Sequence, residues 1–568
     1  MGRRLKFVSI FFLVLFASLA LRAFDLQVLS AKQIISQAFR RFDHSLQLSP
    51  HRGTINDRSG QPLAISLDVK SAAANPRLIK HPRKTAAKIA GVLHIQTNTL
   101  VKKLSSDKYF VWIKRHLTPD EFTALKNLNI KGIRFYNEAK RFYPESDCMA
   151  NVLGIVGIDQ NGLEGLELFY DHILKGKPRH IDVQKDGRGK IICARGLEPE
   201  EAQEGLNLGL TIDRRIQYIA YNELKKTIAA NNARSGFVII SNPNTAEIYA
   251  IASFPSFNPN IGTYRHLGGH KNRAVVDSFE PGSVIKPIWV GWGLQNQFFN
   301  PSKSIFCENG EFRYHRVTIH DHEKYGWLPV RDIVKYSSNI GMVKLMDTVG
   351  AHDMFSCVDA FGMNSPTGID FPGEPKGLIR DPGKWSSVDK ANVSFGQGFA
   401  VTGIQLITAF NAMVNGGMLT RPHLVANVSD AAGKQIEQFK PAIIRKVISN
   451  ETSEEMLAIL KTVALKGGTA YSAYMENYQV FGKTGTSQKI DPLTGSYSNN
   501  AFISTFIGGL IDSSGKPRLS IITSINEPHP YYYASQVACP LFKNIASQCV
   551  NVMELRPIIT VAKRGTKG

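Results

Sequence analysis

From Phe7 to Leu21 the chain carries no charged residue and is strongly apolar. Arg3, Arg4 and Lys6 precede this run, and Arg22 and Asp25 interrupt it before apolar positions resume up to Leu29. Fifteen uncharged residues fall short of the roughly 20 that cross hydrocarbon. Arg22 can lengthen the span by laying its stem along the acyl chains with its head at the interface. The pattern predicts a membrane anchor over 7–29, with 1–6 as a cytoplasmic tail. A cleaved signal peptide is the competing reading, and Ser18-Leu19-Ala20 has the small-x-small character of a cleavage site. Continuation of the apolar pattern past that point favours the anchor. With no second run of spanning length, the remainder is expected outside the cytoplasm as a single-pass protein.

Gln27 to Gln47 mixes apolar and basic positions and reads as a stalk. Thr54-Ile55 and Pro62-Leu-Ala-Ile65 read as short strands around a turn marked by Asn56-Asp57 and Ser59-Gly60. Residues 80–130 read as small lysine-rich helices, and short strands with glycine turns return from Gly132 to about Gly205. Residues 30–205 are therefore expected to hold an α+β domain without visible chemistry. A new unit starts near Leu208: a strand Leu208–Ile212, then Asp213 as cap of an amphipathic helix Arg214–Ala230. Phe237–Ser241 and Glu247–Ser253 predict a hairpin around Asn242-Pro-Asn-Thr. Val401–Val414 reads as an apolar helix. Val480–Thr486, Ala501–Ile507 and Leu519–Ile525 read as neighbouring strands of a mainly antiparallel sheet with helices before and after it in sequence. The fold class is multidomain α+β, with the second domain over 206–556 and a basic tail over 557–568.

Between hairpin and helix lies Phe279-Glu-Pro-Gly-Ser-Val-Ile-Lys286. Pro281-Gly282 breaks the preceding structure and delivers Ser283 to the first turn of a helix, where Pro287 costs few hydrogen bonds. Residues three apart share a helix face, which puts the Lys286 amine within reach of the Ser283 hydroxyl. A serine becomes a nucleophile only when a neighbouring base takes its proton. The pattern alone says little: Ser105-Lys108, Ser387-Lys390 and Ser513-Lys516 share it, and each reads as a serine and a lysine on an exposed face. Two other segments single out Ser283. Ser337-Ser-Asn339 lies before the helical stretch 340–349, and Lys483-Thr-Gly-Thr486 lies on a predicted strand. Ser-x-Asn recurs at 256, 498 and 524, but Lys-Thr-Gly occurs once. The ordered trio is the signature of penicillin-binding proteins and class A β-lactamases.

The chain resembles a class B penicillin-binding protein along nearly its whole length. The resemblance rests on the trio, on Arg52-Gly-Thr-Ile-Asn-Asp-Arg-Ser-Gly-Gln-Pro-Leu-Ala64 and on Gly162-Leu-Glu-Gly-Leu-Glu167. Gly396-Gln-Gly398, Val401-Thr-Gly-Ile-Gln405 and Asn415-Gly-Gly417 extend it. Its form is most similar to the division-specific D,D-transpeptidases, with the elongation-specific ones as the nearest alternative. Arg141-Phe-Tyr-Pro-Glu-Ser-Asp-Cys departs from the family, which continues from Tyr-Pro with glycine and histidine. The resemblance implies Ser283 as nucleophile, Lys286 as its base, Ser337 as a proton relay and Asn339 as a support for Lys286 and the substrate amide. It implies Lys483, Thr484, Gly485 and Thr486 at the substrate's terminal carboxylate, with the backbone N–H groups of Ser283 and Thr486 as an oxyanion hole. It implies peptidoglycan stem peptides and β-lactams as ligands, and a SEDS-type glycan polymerase and other division proteins as partners. No cofactor or metal is expected. The implied place is the inner membrane at the division septum, with the catalytic domain periplasmic. Two rivals in other classes are a β-lactam sensor, which wants several spans and a cytoplasmic effector, and a non-catalytic division scaffold.

Bulk numbers change this little. At 568 residues, with 43% hydrophobic and 20% charged positions, the chain is ordinary globular protein in two or three domains. A net charge of +21 suits an anionic neighbourhood, and without a zinc-finger, basic-zipper or RNA-binding signature nucleic acid is the weakest candidate. Cys148, Cys193, Cys307, Cys357, Cys539 and Cys549 form no C-x-x-C pair. Cys539 and Cys549 are the nearest candidates for a bridge, and free buried thiols are the alternative. His315, His320, His322 and Asp321 suggest a metal cluster but read better as a mobile polar loop beside the cleft. Gly396-Gln-Gly398 lacks the lysine and threonine of a phosphate loop. Tyr531-Tyr-Tyr533 either lines a binding wall or packs.

Overall fold

The computed structural model describes residues 2–31, 43–48, 50–177, 179–185, 191–195, 204–261, 269–491 and 493–558. Much of the expected stalk and nearly all of the basic tail lie outside these residues, as does the side chain of Cys193. Two compact units emerge: Met1–His51 with Lys175–Gly205, and Arg52–Leu174 with Leu206–Gly568. The first contains helix α1 (Gly2–Phe24), extended to Leu29, and an antiparallel sheet of Asp43–Leu48, Arg179–Lys185 and Ile191–Arg195. The 28-residue segment Gly2–Leu29 is long and apolar enough to cross a membrane and buries none of its side chains. Arg22 and Asp25, which interrupt the apolar run, pair with each other at 2.7 Å.

In the second unit, β1 (Ile55–Asn56), β2 (Pro62–Ala74) and β3 (Ile133–Phe142) join a seven-stranded sheet. β1 runs parallel to β4 (Asn207–Leu210), which itself pairs with Val425–Ser429. Residues before 175 and residues after 206 therefore share one ladder. The family-like segments meet in a buried ion cluster: Glu167 accepts from Arg52 and from Arg141 Nε at 2.6 Å, and Arg52 also reaches Asp171. Glu167 is 0% exposed, Arg52 2% and Arg141 6%. Arg141, which opens the segment that departs from the family, thus keeps a fixed partner.

A second, five-stranded sheet is antiparallel, with β5 (Ser235–Ser241) and β6 (Ile248–Phe254) at one end and β8 (Gln479–Ile490), β9 (Tyr497–Ile511) and β10 (Pro517–Asn526) completing the order β6-β5-β10-β9-β8. Every residue of β5 is buried, as its unbroken apolar run requires for a strand covered on both faces. α2 (Arg214–Ala230) is capped by Asp213, whose side chain accepts from the Arg215 N–H. A Cβ on Gly236 would meet Leu224 of α2, and one on Gly403 would meet Phe237. Adjacent residues of β5 thus face different helices, α2 on one side and α5 (Gly403–Val414) on the other. All twelve residues of α5 are buried, which explains its apolar character all round. The hairpin β8–β9 is longer than its apolar cores suggest, because pairing continues through polar positions to Ile490–Tyr497. Cys539 and Cys549 both lie on α7 (Ala538–Val552) as free buried thiols, so the bridge is not formed.

Removing Glu167 leaves two buried guanidinium groups facing each other. Glu167→Ala is expected to destabilise the second unit by about 3–5 kcal/mol, read as a lowered thermal midpoint by circular dichroism.

Candidate active site

Ser283 sits in a tight 3-10 turn, Gly282–Ile285, which runs directly into α3 (Lys286–Gln295) with Pro287 in its first turn. The turn depends on two glycines. Gly282 has φ +59°, and its N–H donates to Gly396 O at 2.9 Å. A Cβ on Gly485 of β8 would lie 2.8 Å from Val284 Cγ1 and 3.1 Å from Pro281 O, so only glycine lets β8 lie this close to the serine turn.

The Ser337-Ser-Asn339 segment is a break between two helices. Ser337 ends Val330–Tyr336 in the left-handed region with φ +61°, and Ser338 caps α4 (Asn339–Asp347) by accepting from the Gly341 N–H. This break turns Ser337 O, Ser337 Oγ and Asn339 Oδ1 towards one point. Lys286 Nζ occupies it, at 2.7 Å from Ser337 O, 3.3 Å from Ser337 Oγ and 2.7 Å from Asn339 Oδ1. From the other side Lys483 Nζ, on β8, reaches Ser337 Oγ at 2.8 Å and Thr484 O at 2.9 Å. Two amines therefore share one hydroxyl.

Both lysines are 0% exposed. Burial pulls Lys286 down to about 7, against the Asp321 carboxylate, which favours the charged form. Lys483 falls well below the usual lysine range through burial and then through the nearby Lys286 charge. The three oxygens around Nζ accommodate both forms of the amine: charged, it donates to all three; neutral, it donates to Ser337 O and Asn339 Oδ1 and turns its lone pair to a hydroxyl proton.

Ser283, Ser337, Asn339, Thr484, Gly485 and Thr486 line one cleft of about 560 Å³. Lys286 and Lys483 lie behind its wall. All eight residues singled out in the sequence are thus gathered here, although the bonds of Lys286 run to Ser337 and Asn339, the partners that helix spacing does not reveal. Thr484 Oγ1 donates to Thr469, and Thr486 Oγ1 accepts from the Ala534 N–H at 3.2 Å. Tyr532 and Tyr533 line the cleft, Tyr532 stacked on Phe502 at 4.2 Å, while Tyr531 is 58% exposed. The tyrosine run is therefore part wall and part surface.

Sequence reasoning placed Asp321 in a possible metal cluster that read better as a mobile polar loop, and did not foresee its bonds to the Ser-Ser-Asn break. Its carboxylate accepts from Ser338 Oγ at 2.6 Å and from the N–H groups of Asn339 and Ile340. The loop beside the cleft is thereby tied to the Ser-Ser-Asn break rather than left mobile at this point. His322 lines the cleft; burial first, then Lys286 and Lys483, holds its imidazole below the ordinary range. Among the described residues no group of three or more His, Cys, Asp or Glu side chains is arranged to hold a metal.

A tight serine turn, a buried amine and a Lys-Thr-Gly strand of an antiparallel sheet are arranged as in an acyl-transfer site of the penicillin-recognising type. The penicillin-binding protein transpeptidase domain matches residues 236–547, and the penicillin-binding protein dimerisation domain matches 47–210. The chain belongs to the class B penicillin-binding proteins. It is 32% identical to the probable peptidoglycan D,D-transpeptidase PenA of Neisseria meningitidis, over 98% of this chain and 93% of that one. It is 30% identical to the peptidoglycan D,D-transpeptidase FtsI of Escherichia coli K12, over 94% and 89%. The crystal structure of penicillin-binding protein 3 from Mycobacterium tuberculosis complexed with aztreonam shares the fold, with a TM-score of 0.70 at 24% identity over 90% and 98% of the two chains.

Because Asp321 favours the charged form of Lys286, Asp321→Asn should lower the Lys286 pKa further. Titration of the labelled amine by NMR checks this as a midpoint displaced to lower pH than in the unaltered protein.

Proposed function

We propose that the protein is a membrane-anchored serine D,D-transpeptidase that crosslinks peptidoglycan stem peptides at the division septum and is acylated by β-lactams. The observation that carries the reading is fully buried Lys286, bonded to Ser337 and Asn339 behind the cleft that Ser283 lines. Ser283 Oγ attacks the carbonyl between two terminal D-alanines, and its proton passes to Lys286 Nζ. Ser337 Oγ, bonded to both amines, relays a proton to the departing D-alanine nitrogen. The C–N bond breaks, and an ester to Ser283 remains. An amine of a second stem peptide then attacks that ester, and the same groups return the proton to Ser283. Backbone N–H groups of Ser283 and Thr486 stabilise the oxyanion, the largest expected term.

Thr484 and Thr486 face the terminal carboxylate from the cleft wall, and Lys483 supports Ser337 from behind. The apolar helix Gly2–Phe24 supports an inner-membrane anchor with a cytoplasmic N-terminus and a periplasmic catalytic domain. The likeness to the peptidoglycan D,D-transpeptidase FtsI supports work in division, where a separate SEDS-type glycan polymerase would supply the strands to be crosslinked.

Ser283→Ala is expected to abolish labelling by a fluorescent penicillin while leaving the fold intact; persistent labelling rejects the reading. The pH dependence follows from Lys286. Below its pKa of about 7 the amine is charged and cannot take the proton. The acylation rate should fall about tenfold per pH unit on the acid side and level off above the midpoint, as read by stopped-flow acylation.

A further inference from the structure

Glu280 stands three residues before the nucleophile, and the mechanism above does not use it. Its carboxylate is largely buried. Oε1 accepts from the Gly398 N–H at 2.9 Å and from Tyr497 Oη at 3.2 Å. Oε2 is buried without a partner among the described residues. Burying a carboxylate oxygen this way costs stability, so a fold that keeps it there gains something else.

The two donors belong to different segments beside the cleft. Gly398 closes the Gly396-Gln-Gly398 turn, whose Gln397 lines the cleft with Ser283, Thr486 and Gln488. Tyr497 opens β9, the partner strand of β8, which carries Lys483 to Thr486. The turn is pressed against the serine turn: Gly396 has φ +89°, and a Cβ there would stand 2.0 Å from Gly282 O. On either side the same two segments are joined again, by Gly282 N to Gly396 O at 2.9 Å and by the short pair Ser278–Phe279 with Val401–Thr402. Glu280, on the segment that carries Ser283, touches both the Gln397 turn and the β8–β9 hairpin.

We propose that Glu280 is a positioning residue that fixes the width of the cleft between Gln397 and Thr486, and so sets how tightly an extended peptide is held before Ser283 attacks. The role is that of an acceptor with two donors, not of a charge. It rests on the acyl-transfer reading of the cleft. Gln397 and Thr486 both line the cleft, and Glu280 ties together the segments that carry them.

The test uses the full chain in detergent. Glu280→Ala is expected to raise KM for a D-alanyl-D-alanine-type thioester about tenfold, with a smaller change in kcat, because a loosened wall misplaces substrate more than it alters the buried amines. Glu280→Gln keeps an acceptor oxygen for both donors and should stay within about twofold of the unaltered protein. Hydrogen exchange at the Gly398 amide reads the tether without any enzymatic assay, and its protection should be lost in Glu280→Ala and kept in Glu280→Gln. Unchanged Gly398 protection in Glu280→Ala, an unchanged KM, or a Gln variant as impaired as the Ala variant each overturns the proposal. Absence of turnover in the unaltered protein rejects the acyl-transfer reading instead, and Gly398 exchange still decides whether the tether exists.

Discussion

The site turns on two lysine amines that cannot both be charged. Lys286 and Lys483 are fully buried and meet at a single hydroxyl, Ser337. Water is excluded, so charge on either amine costs desolvation, and charge on both adds repulsion at short range. The result is a Lys286 amine whose pKa is drawn down to about 7, so that it is uncharged above that pH and able to act as a base. On the proposed reading, such a base activates a correctly placed serine by taking its proton.

Placement comes from close backbone approach. Gly485 lets the Lys-Thr-Gly strand lie against the serine turn, and Gly282 and Gly396 let a third segment press from the other side. The Ser337-Ser-Asn339 break contributes its polar atoms because one helix ends in a left-handed residue and the next begins at once. Asp321 holds that break from below. Apolar helices such as α5 fill the space behind and keep the floor dry.

Much of this was legible in the sequence, and the rest was not for definite reasons. Local patterns carried the Asp213 cap, the bounds of α2 and the serine turn. The Ser-x-x-Lys spacing did not separate Ser283 from Ser387. Ser387 also opens a helix, but Lys390 turns to Asp347 at the surface, whereas Lys286 is buried against Ser337. What distinguishes them is burial, a tertiary property. Asp321 sits among histidines, and sequence alone offered a metal cluster or a loop. Only the fold shows its carboxylate on the Asn339 and Ile340 amides. The shared ladder of β1 and β4 joins residues more than 150 positions apart and has no local signal, and Arg141 keeps its role inside a segment whose motif departs from the family.

The claim that two lysines are held uncharged has a direct thermodynamic readout. Both have folded-state pKa values below their unfolded ones, so at pH 9 the unfolded chain binds more protons than the folded chain. Proton uptake on unfolding at pH 9, in weakly buffered denaturant, should be larger for the unaltered protein than for Lys286→Met by about one proton per chain. Equal uptake by the two would mean that Lys286 is already charged in the folded protein, and the account of how Ser283 is activated would fail.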